Sequence, residues 1–177
     1  GLAGLVKPAT DIAATELFEK DVKGQRREPV SADRYFVDGR EMTAEEFSDY
    51  VAQLVEEFDI VSVEDGHAES NIEGWRRLTQ LLADRVFLVG DDIFVTNRDL
   101  VAWAIQQHIA NAVLVKLNQI GTLTETLEAI DMARDGNFRT MGSHRSGHLP
   151  GTATADVAMQ QDFIKAGAPF GRPPVVL

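Results

Sequence analysis

Ala112-Val-Leu-Val-Lys-Leu-Asn-Gln-Ile-Gly-Thr-Leu123 decides how the chain is read: four apolar residues run into a lysine and then break at a glycine turn. A short apolar run bounded by turn chemistry predicts a fully buried strand of the parallel type. Packing alone does not place Lys116 at its end, because desolvating an ammonium costs several kcal/mol unless the side chain snorkels out or a partner receives it. The same grammar recurs outward in both directions. Strands are predicted to start near residues 60, 86, 112, 138 and 163, as Ile60-Val-Ser-Val63, Val86-Phe-Leu-Val89, Ala112-Val-Leu-Val115, Phe138 to Ser143 and Phe163-Ile164.

Helical patterns fill the intervals. Thr43 with Glu46 forms a capping box ahead of Phe47, Tyr50, Val51, Leu54, Val55 and Phe58 on one face. Ser70 with Glu73 is expected to cap a helix burying Ile72, Trp75, Leu78 and Leu82. Asn97 caps one with Leu100, Val101, Ala104 and Ile105 inward, and a helix over about Thr122 to Arg134 closes on Gly136. A short helix is expected over Thr152 to Gln160. Upstream, Asp38-Gly39 between β-prone residues predicts a hairpin over Arg34 to Met42. Residues 10–18 read either as a strand end entering a turn or as a helix capped by Thr10 or Asp11. Strand and helix alternating at a nearly constant step define βα units with right-handed crossovers, hence an α/β fold with a parallel sheet, barrel or doubly wound.

Ionisable groups stand where these strands end: Glu64, Asp91 with Asp92, Lys116, Ser143-His144-Arg145-Ser146 and Lys165. In a barrel such ends converge on one face. Glu64 and Asp91, with Asp11 if its segment is a strand, offer the hard oxygen donors that suit Mg²⁺ better than zinc. Lys116 and Lys165 beside a cation and partly desolvated are expected to have depressed pKa values, and a lysine so placed can act as a base. Arg145 is a natural clamp for a phosphate or carboxylate, with His144 and Ser146 as further donors. Carboxylate-held metal with a strand-end lysine points to proton abstraction α to a carboxylate.

Composition bounds the rest. With 177 residues and 44% hydrophobic content the chain suffices for one domain with a core. Its net charge of −11 argues against a nucleic-acid partner, and no apolar stretch is long enough for a membrane span. The absence of cysteine excludes disulfides and thiolate metal sites. A cytoplasmic location is the default expectation.

The stretches Val61-Ser-Val-Glu-Asp-Gly66, Val89-Gly-Asp-Asp-Ile-Phe-Val-Thr-Asn97, Val115-Lys-Leu-Asn-Gln-Ile-Gly-Thr-Leu-Thr-Glu125 and Ser143-His-Arg-Ser-Gly147 closely resemble signature segments of the enolase family, the phosphopyruvate hydratases. Asp11-Ile-Ala-Ala-Thr-Glu-Leu-Phe18 and Ile164-Lys-Ala-Gly-Ala-Pro169 look like two more. The resemblance covers about residues 8–169. It implies a partial TIM-type (β/α) barrel, one enolase-like C-terminal barrel domain over residues 1–177, matching the family from its third barrel strand and without its amino-terminal capping domain. By the same resemblance Asp11, Glu64 and Asp91 match magnesium ligands and Lys116 matches the base that takes the C2 proton of 2-phosphoglycerate. Glu64, Asp91, His144, Arg145, Ser146 and Lys165 match the substrate side.

The family's general acid, a glutamate, matches nothing here, and no residue is given its role. After Gly147 the chain reads His148-Leu-Pro-Gly151 where the family is usually acidic, and Ala166 stands where it usually has threonine. Three readings follow: dehydration of 2-phosphoglycerate, an enolase-like enzyme of phosphonate metabolism resembling carboxyphosphonoenolpyruvate synthase, or a non-catalytic metal-binding or assembly module. The expected ligand is a small anionic phosphorylated carboxylate with Mg²⁺. The expected assembly is a homo-oligomer, or a complex with a chain supplying the missing half.

Overall fold

The computed structural model describes residues 4–18, 21–22, 25–26, 34–144, 156–157 and 159–165. In chain order the elements are β1 (Ala9–Asp11), α1 (Ala14–Phe18), β2 (Asp21–Val22), β3 (Gln25–Arg26), β4 (Arg34–Val37), β5 (Arg40–Thr43), α2 (Ala44–Phe58), β6 (Ser62–Glu64), α3 (Ile72–Leu82), β7 (Phe87–Gly90), α4 (Arg98–Gln107), β8 (Ala112–Val115), α5 (Leu117–Ile120), α6 (Leu123–Asp135), β9 (Arg139–Ser143) and β10 (Phe163–Lys165). Among the described residues one parallel sheet runs β1-β6-β7-β8-β9-β10. Every β6 to β9 connection is a helical crossover, as the constant step demands. Residues 10–18 follow the strand-end reading in β1, which closes at Asp11; helix α1 begins only at Ala14, so neither Thr10 nor Asp11 caps it.

The sheet is a curled half-barrel. Laid flat, its outer strands would stand about 24 Å apart, five gaps of just under 5 Å. Instead Lys165 on β10 donates to Asp11 on β1 at 2.8 Å, and the rings of Phe87 on β7 and Phe163 on β10 lie 4.7 Å apart. Alternation along each strand sorts the side chains. Val89, Ala112 and Leu114 pack together on the concave side with Phe87 and Met141. Val63, Leu88, Val113 and Val115 face the helices, where Trp75, Leu78, Leu82, Val101, Ala104, Ile130 and Ala133 complete the larger core. No helix of the described residues is long and apolar enough to cross a membrane.

Local chemistry explains most boundaries. Asp38 and Gly39 both take positive φ, 49° and 80°, the pairing a tight hairpin needs, between β4 and β5. The Thr43–Glu46 capping box forms, with Glu46 N–H donating to Thr43 Oγ1 at 3.1 Å and Thr43 N–H to Glu46 Oε2 at 2.8 Å. Helix α3 differs from expectation: Asn71, not Ser70, is its N-cap. Asn71 Oδ1 accepts from Gly74 N–H at 2.9 Å while its Nδ2 donates to the Tyr35 hydroxyl at 3.1 Å, a pair of bonds in opposite senses that suits an amide. Helix α6 closes on Gly136 with φ −87°, and Asn137 takes the left-handed turn at 61°. Leu100 and Phe58, expected inward, are exposed because they lie off the buried stripes of their helices. Of the helix expected over residues 152–160, only 156–157 are helical among the described residues.

A buried polar knot locks the hairpin to the sheet. His67 is 1% exposed. The Tyr35 hydroxyl accepts from Ala68 N–H at 3.1 Å and from Asn71 Nδ2, so its one proton goes to His67 Nδ1 at 2.9 Å. Ser48 Oγ gives its proton to the Ala44 carbonyl at 2.9 Å, so His67 Nε2–H donates to Ser48 at 2.8 Å. These bonds fix the neutral Nε2–H tautomer. Burial pushes the imidazole down to about 3, and a Cβ at Gly74 would meet its ring at 2.5 Å.

An unfolded histidine titrates near 6.5, so below that pH the unfolded state takes a proton that the folded state refuses until about 3. Stability from His67 is therefore complete above about pH 6.5 and falls by about 1.4 kcal/mol per pH unit below it. Measured by urea unfolding, the change in stability from pH 7.5 to 5.5 should be more favourable in His67→Gln than in the parent, and equal changes in the two would refute a buried neutral imidazole. A second expectation concerns the sheet edges. Among the described residues β1 and β10 each have a neighbour on one side only, and such edges recruit partners. Sedimentation at tens of micromolar should give a mass above the 19.5 kDa monomer; a compact, cooperatively unfolding monomer would contradict it.

Candidate metal and acid–base site

The parallel register brings acids and lysines to one end of the half-barrel. Asp11 stands beside Glu64 in β1 and β6, Asp91 follows β7, Lys116 follows β8 and Lys165 ends β10. Lys165 Nζ donates to Asp11 Oδ2 at 2.8 Å and to both Glu64 oxygens at 2.9 and 2.8 Å. Lys116 Nζ donates to Asp91 Oδ2. Five of the residues anticipated for the site thus form two contact groups at the same end, Asp11–Glu64–Lys165 and Asp91–Lys116.

The remaining anticipated residues divide. Ser143, beside Lys165 in register, donates from Oγ to the His144 carbonyl at 3.2 Å, so His144 sits half-buried just past β9 at the same end. Arg145 and Ser146 lie outside the described residues. Lys165 departs from expectation. Burial alone would lower its pKa, but the hydrogen bonds and charges of Asp11 and Glu64 outweigh burial and carry it above the usual lysine range.

The acids feel one another. Burial lifts Glu64 above the carboxylate range, Lys165 opposes through its hydrogen bond and charge, and the charges of Asp11 and Asp91 add to the rise. Asp92 is raised by burial and then by Asp91, against Lys116. A cation is the natural counterpart of such a cluster. Asp11 and Glu64 present three oxygens within 2.9 Å of a single positive atom, the Lys165 nitrogen, as hard donors to a divalent ion would, whereas Asp91 groups instead with Asp65 and Asp92.

Three contributors were not foreseen. Gln119, on the unexpected helix α5, donates from Nε2 to Asp91 Oδ1 at 2.7 Å and accepts from Thr96 Oγ1 at 2.6 Å. Thr96 Oγ1 accepts in turn from Lys116 N–H at 3.0 Å. The sequence signals were that Gln119 falls three residues after Lys116 and that it and Thr96 lie within the quoted signature segments. Asp65 is buried and driven up to about 7 by desolvation, although backbone N–H groups of Asp91 and Asp92 bond its carboxylate. Asp65, Asp91 and Asp92 each bring an oxygen within 4.8 Å of the others.

A curled parallel half-barrel with carboxylates and lysines at its strand ends is a partial TIM-type barrel. The family model described as "Enolase, C-terminal TIM barrel domain" matches residues 1–173. The chain is 47% identical over 163 residues to a protein named Enolase from Acidothermus cellulolyticus (strain ATCC 43068 / DSM 8971 / 11B), an alignment covering 91% of this chain and 35% of that relative. It belongs to the enolase family, and it spans about a third of that relative's length.

Calorimetric titration should detect Mg²⁺ uptake by the parent chain, and roughly tenfold or more weaker uptake by Asp91→Asn, which removes a charge from the set. Equal affinity in the two would make these acids ordinary surface charge.

Proposed function

We propose that this chain carries the metal-and-base half of an enolase-type site and takes part in the dehydration of 2-phosphoglycerate to phosphoenolpyruvate. The observation that carries the proposal is the convergence of Asp11, Glu64 and Asp91 with Lys116 and Lys165 at the carboxyl ends of five strands. Asp11, Glu64 and Asp91 would hold Mg²⁺, which when bound supplies positive charge to the substrate carboxylate and stabilises the electron pair released at C2.

The chain's own residues do the rest. Lys116 takes the C2 proton on its nitrogen, for which it must be neutral and turned from Asp91 toward the substrate. Its stem is held by the buried strand β8 below and by the Thr96 bond to its own N–H, so the nitrogen swings about a fixed base. Gln119 keeps Asp91 in place from the other oxygen. Lys165 stays protonated, as its raised pKa favours, and orients the substrate carboxylate beside Asp11 and Glu64. His144, Arg145 and Ser146 receive the phosphate side. Loss of the 3-hydroxyl as water needs a general acid, which no residue here is assigned and which contributes about 10²–10⁴-fold in rate. One domain over residues 1–177, in a homo-oligomer or with a chain that completes the barrel, is the assembly proposed with this reading.

The chain in heavy water with Mg²⁺ and 2-phosphoglycerate should therefore exchange the C2 proton, read by NMR, far faster than it makes phosphoenolpyruvate. Lys116→Ala should abolish the exchange, with little recovery on adding free amine, because positioning supplies much of the rate. Exchange that survives Lys116→Ala would remove the base assignment, and vigorous phosphoenolpyruvate formation would reveal a general acid within these residues.

A further inference from the structure

Asp65 has no role in the chemistry above, yet the segments that carry the three acids meet at it. It directly follows β6 and takes a left-handed φ of 44°, a conformation that aspartate and asparagine tolerate better than most residues. Its N–H donates to the Val89 carbonyl of β7 at 2.9 Å, and its carbonyl accepts from Ala14 N–H at 3.1 Å. One residue earlier, the Glu64 carbonyl accepts from Ile12 N–H at 2.9 Å. The main chain at 64–65 thus fixes both the exit of β1, just past Asp11, and the end of β7, just before Asp91.

Its side chain completes the hold. Oδ1 accepts from Asp91 N–H at 2.9 Å and Oδ2 from Asp92 N–H at 3.2 Å. Two successive amides gripped by one carboxylate fix the plane of the peptide between them, and with it the direction in which the Asp91 side chain leaves the backbone. Asp65 is 6% exposed, so water is a poor substitute for those oxygens.

We infer that Asp65 is a positioning residue of this site: its carboxylate aims Asp91 by clamping the Asp91–Asp92 amides, and it contributes to cation binding through Asp91 rather than by ligation. The inference rests on the metal reading of Asp11, Glu64 and Asp91 given above. Ligation by Asp65 itself is the competing role, suggested by its nearness to Asp91 and Asp92, and both its oxygens already face backbone donors.

Two measurements on Asp65→Asn test it. Asparagine keeps the left-handed preference and one acceptor, but its amide hydrogens confront the second N–H. Hydrogen exchange of the Asp91 and Asp92 amides should quicken at least about tenfold while Leu88 and Val113 keep their parent rates; unchanged protection at 91 and 92 overturns the clamp. Calorimetry with Mg²⁺ should show about 10–100-fold weaker binding in Asp65→Asn. Introduced into Asp91→Asn, the same substitution should weaken binding by less than about twofold, because the residue through which it acts is already disabled. A penalty that persists in full in that background overturns positioning in favour of ligation or a general loss of structure. If the parent chain takes up no Mg²⁺, the metal reading falls, and the exchange rates alone then decide whether Asp65 holds the turn. Should Asp65→Asn fail to fold, Asp65→Ser, whose hydroxyl can accept one amide, takes its place in both measurements.

Discussion

Three carboxylates at the end of one half-barrel repel one another, and the structure depends on what offsets that repulsion. Lys165 lies between Asp11 and Glu64, and Lys116 lies on Asp91. Lys165–Asp11 is a largely exposed pair, but the other two involve buried acids. Glu64 and Asp91 are buried, where an uncompensated charge costs far more than an exposed pair contributes. Lys165 also reaches Asp11, 154 positions away, so the lysine that offsets charge at Asp11 and Glu64 spans the first and last strands of the described sheet.

That coupling sets the order in which parts of the molecule matter. The apolar work is done below and behind the site, by Phe87, Met141 and Phe163 on the concave side and by the strand residues that face the helices. Those contacts fix the strand register, and the register delivers side chains to the rim. A one-residue slip in β8 would turn Lys116 outward and Val115 inward, because side chains alternate along a strand. The apolar alternation therefore specifies the site before any charge interacts. Asn111 reinforces it by accepting from Leu88 N–H at 2.7 Å while donating to the carbonyls of Ala83 and Val86 at 3.0 Å, which pins the end of α3 and the start of β7 to the start of β8.

Legibility in the sequence follows the same hierarchy. Strands near 60, 86, 112, 138 and 163 could be read because buried parallel strands are short apolar runs, and their spacing gave the crossovers. The Thr43–Glu46 box and the Asp38-Gly39 hairpin were visible because each is a local motif with its own chemistry. Glu64, Asp91, Lys116 and Lys165 stood out as charges where packing has no use for them. Asp11 could not be settled from the residues alone, since its strand is three residues long and, among the described residues, has a neighbour on one side only. Asp65 and Gln119 were missed because their roles lie in what they bond across the fold, and neither spacing nor composition records that. Asn71 was passed over for Ser70 because the local cap signal fits both; the distant Tyr35 hydroxyl decides between them.

The connection from β6 to α3 holds two groups displaced in opposite directions by the same cause. Burial raises Asp65 to about 7 and lowers His67 to about 3. Asp65 retains its proton in the folded chain after the unfolded chain has lost it, so its contribution is complete below about pH 4 and declines as pH rises toward 7. His67 does the reverse, declining as pH falls from about 6.5 toward 3. Across the overlap, from about pH 4 to 6.5, one slope cancels the other. Above it the Asp65 charge must be held by the Asp91 and Asp92 amides alone. These amides lie at the base of the acid cluster, so the anionic form that grips them best is the form that the neighbouring acids and burial oppose. A cation held at Asp91, as proposed above, would relieve part of that opposition.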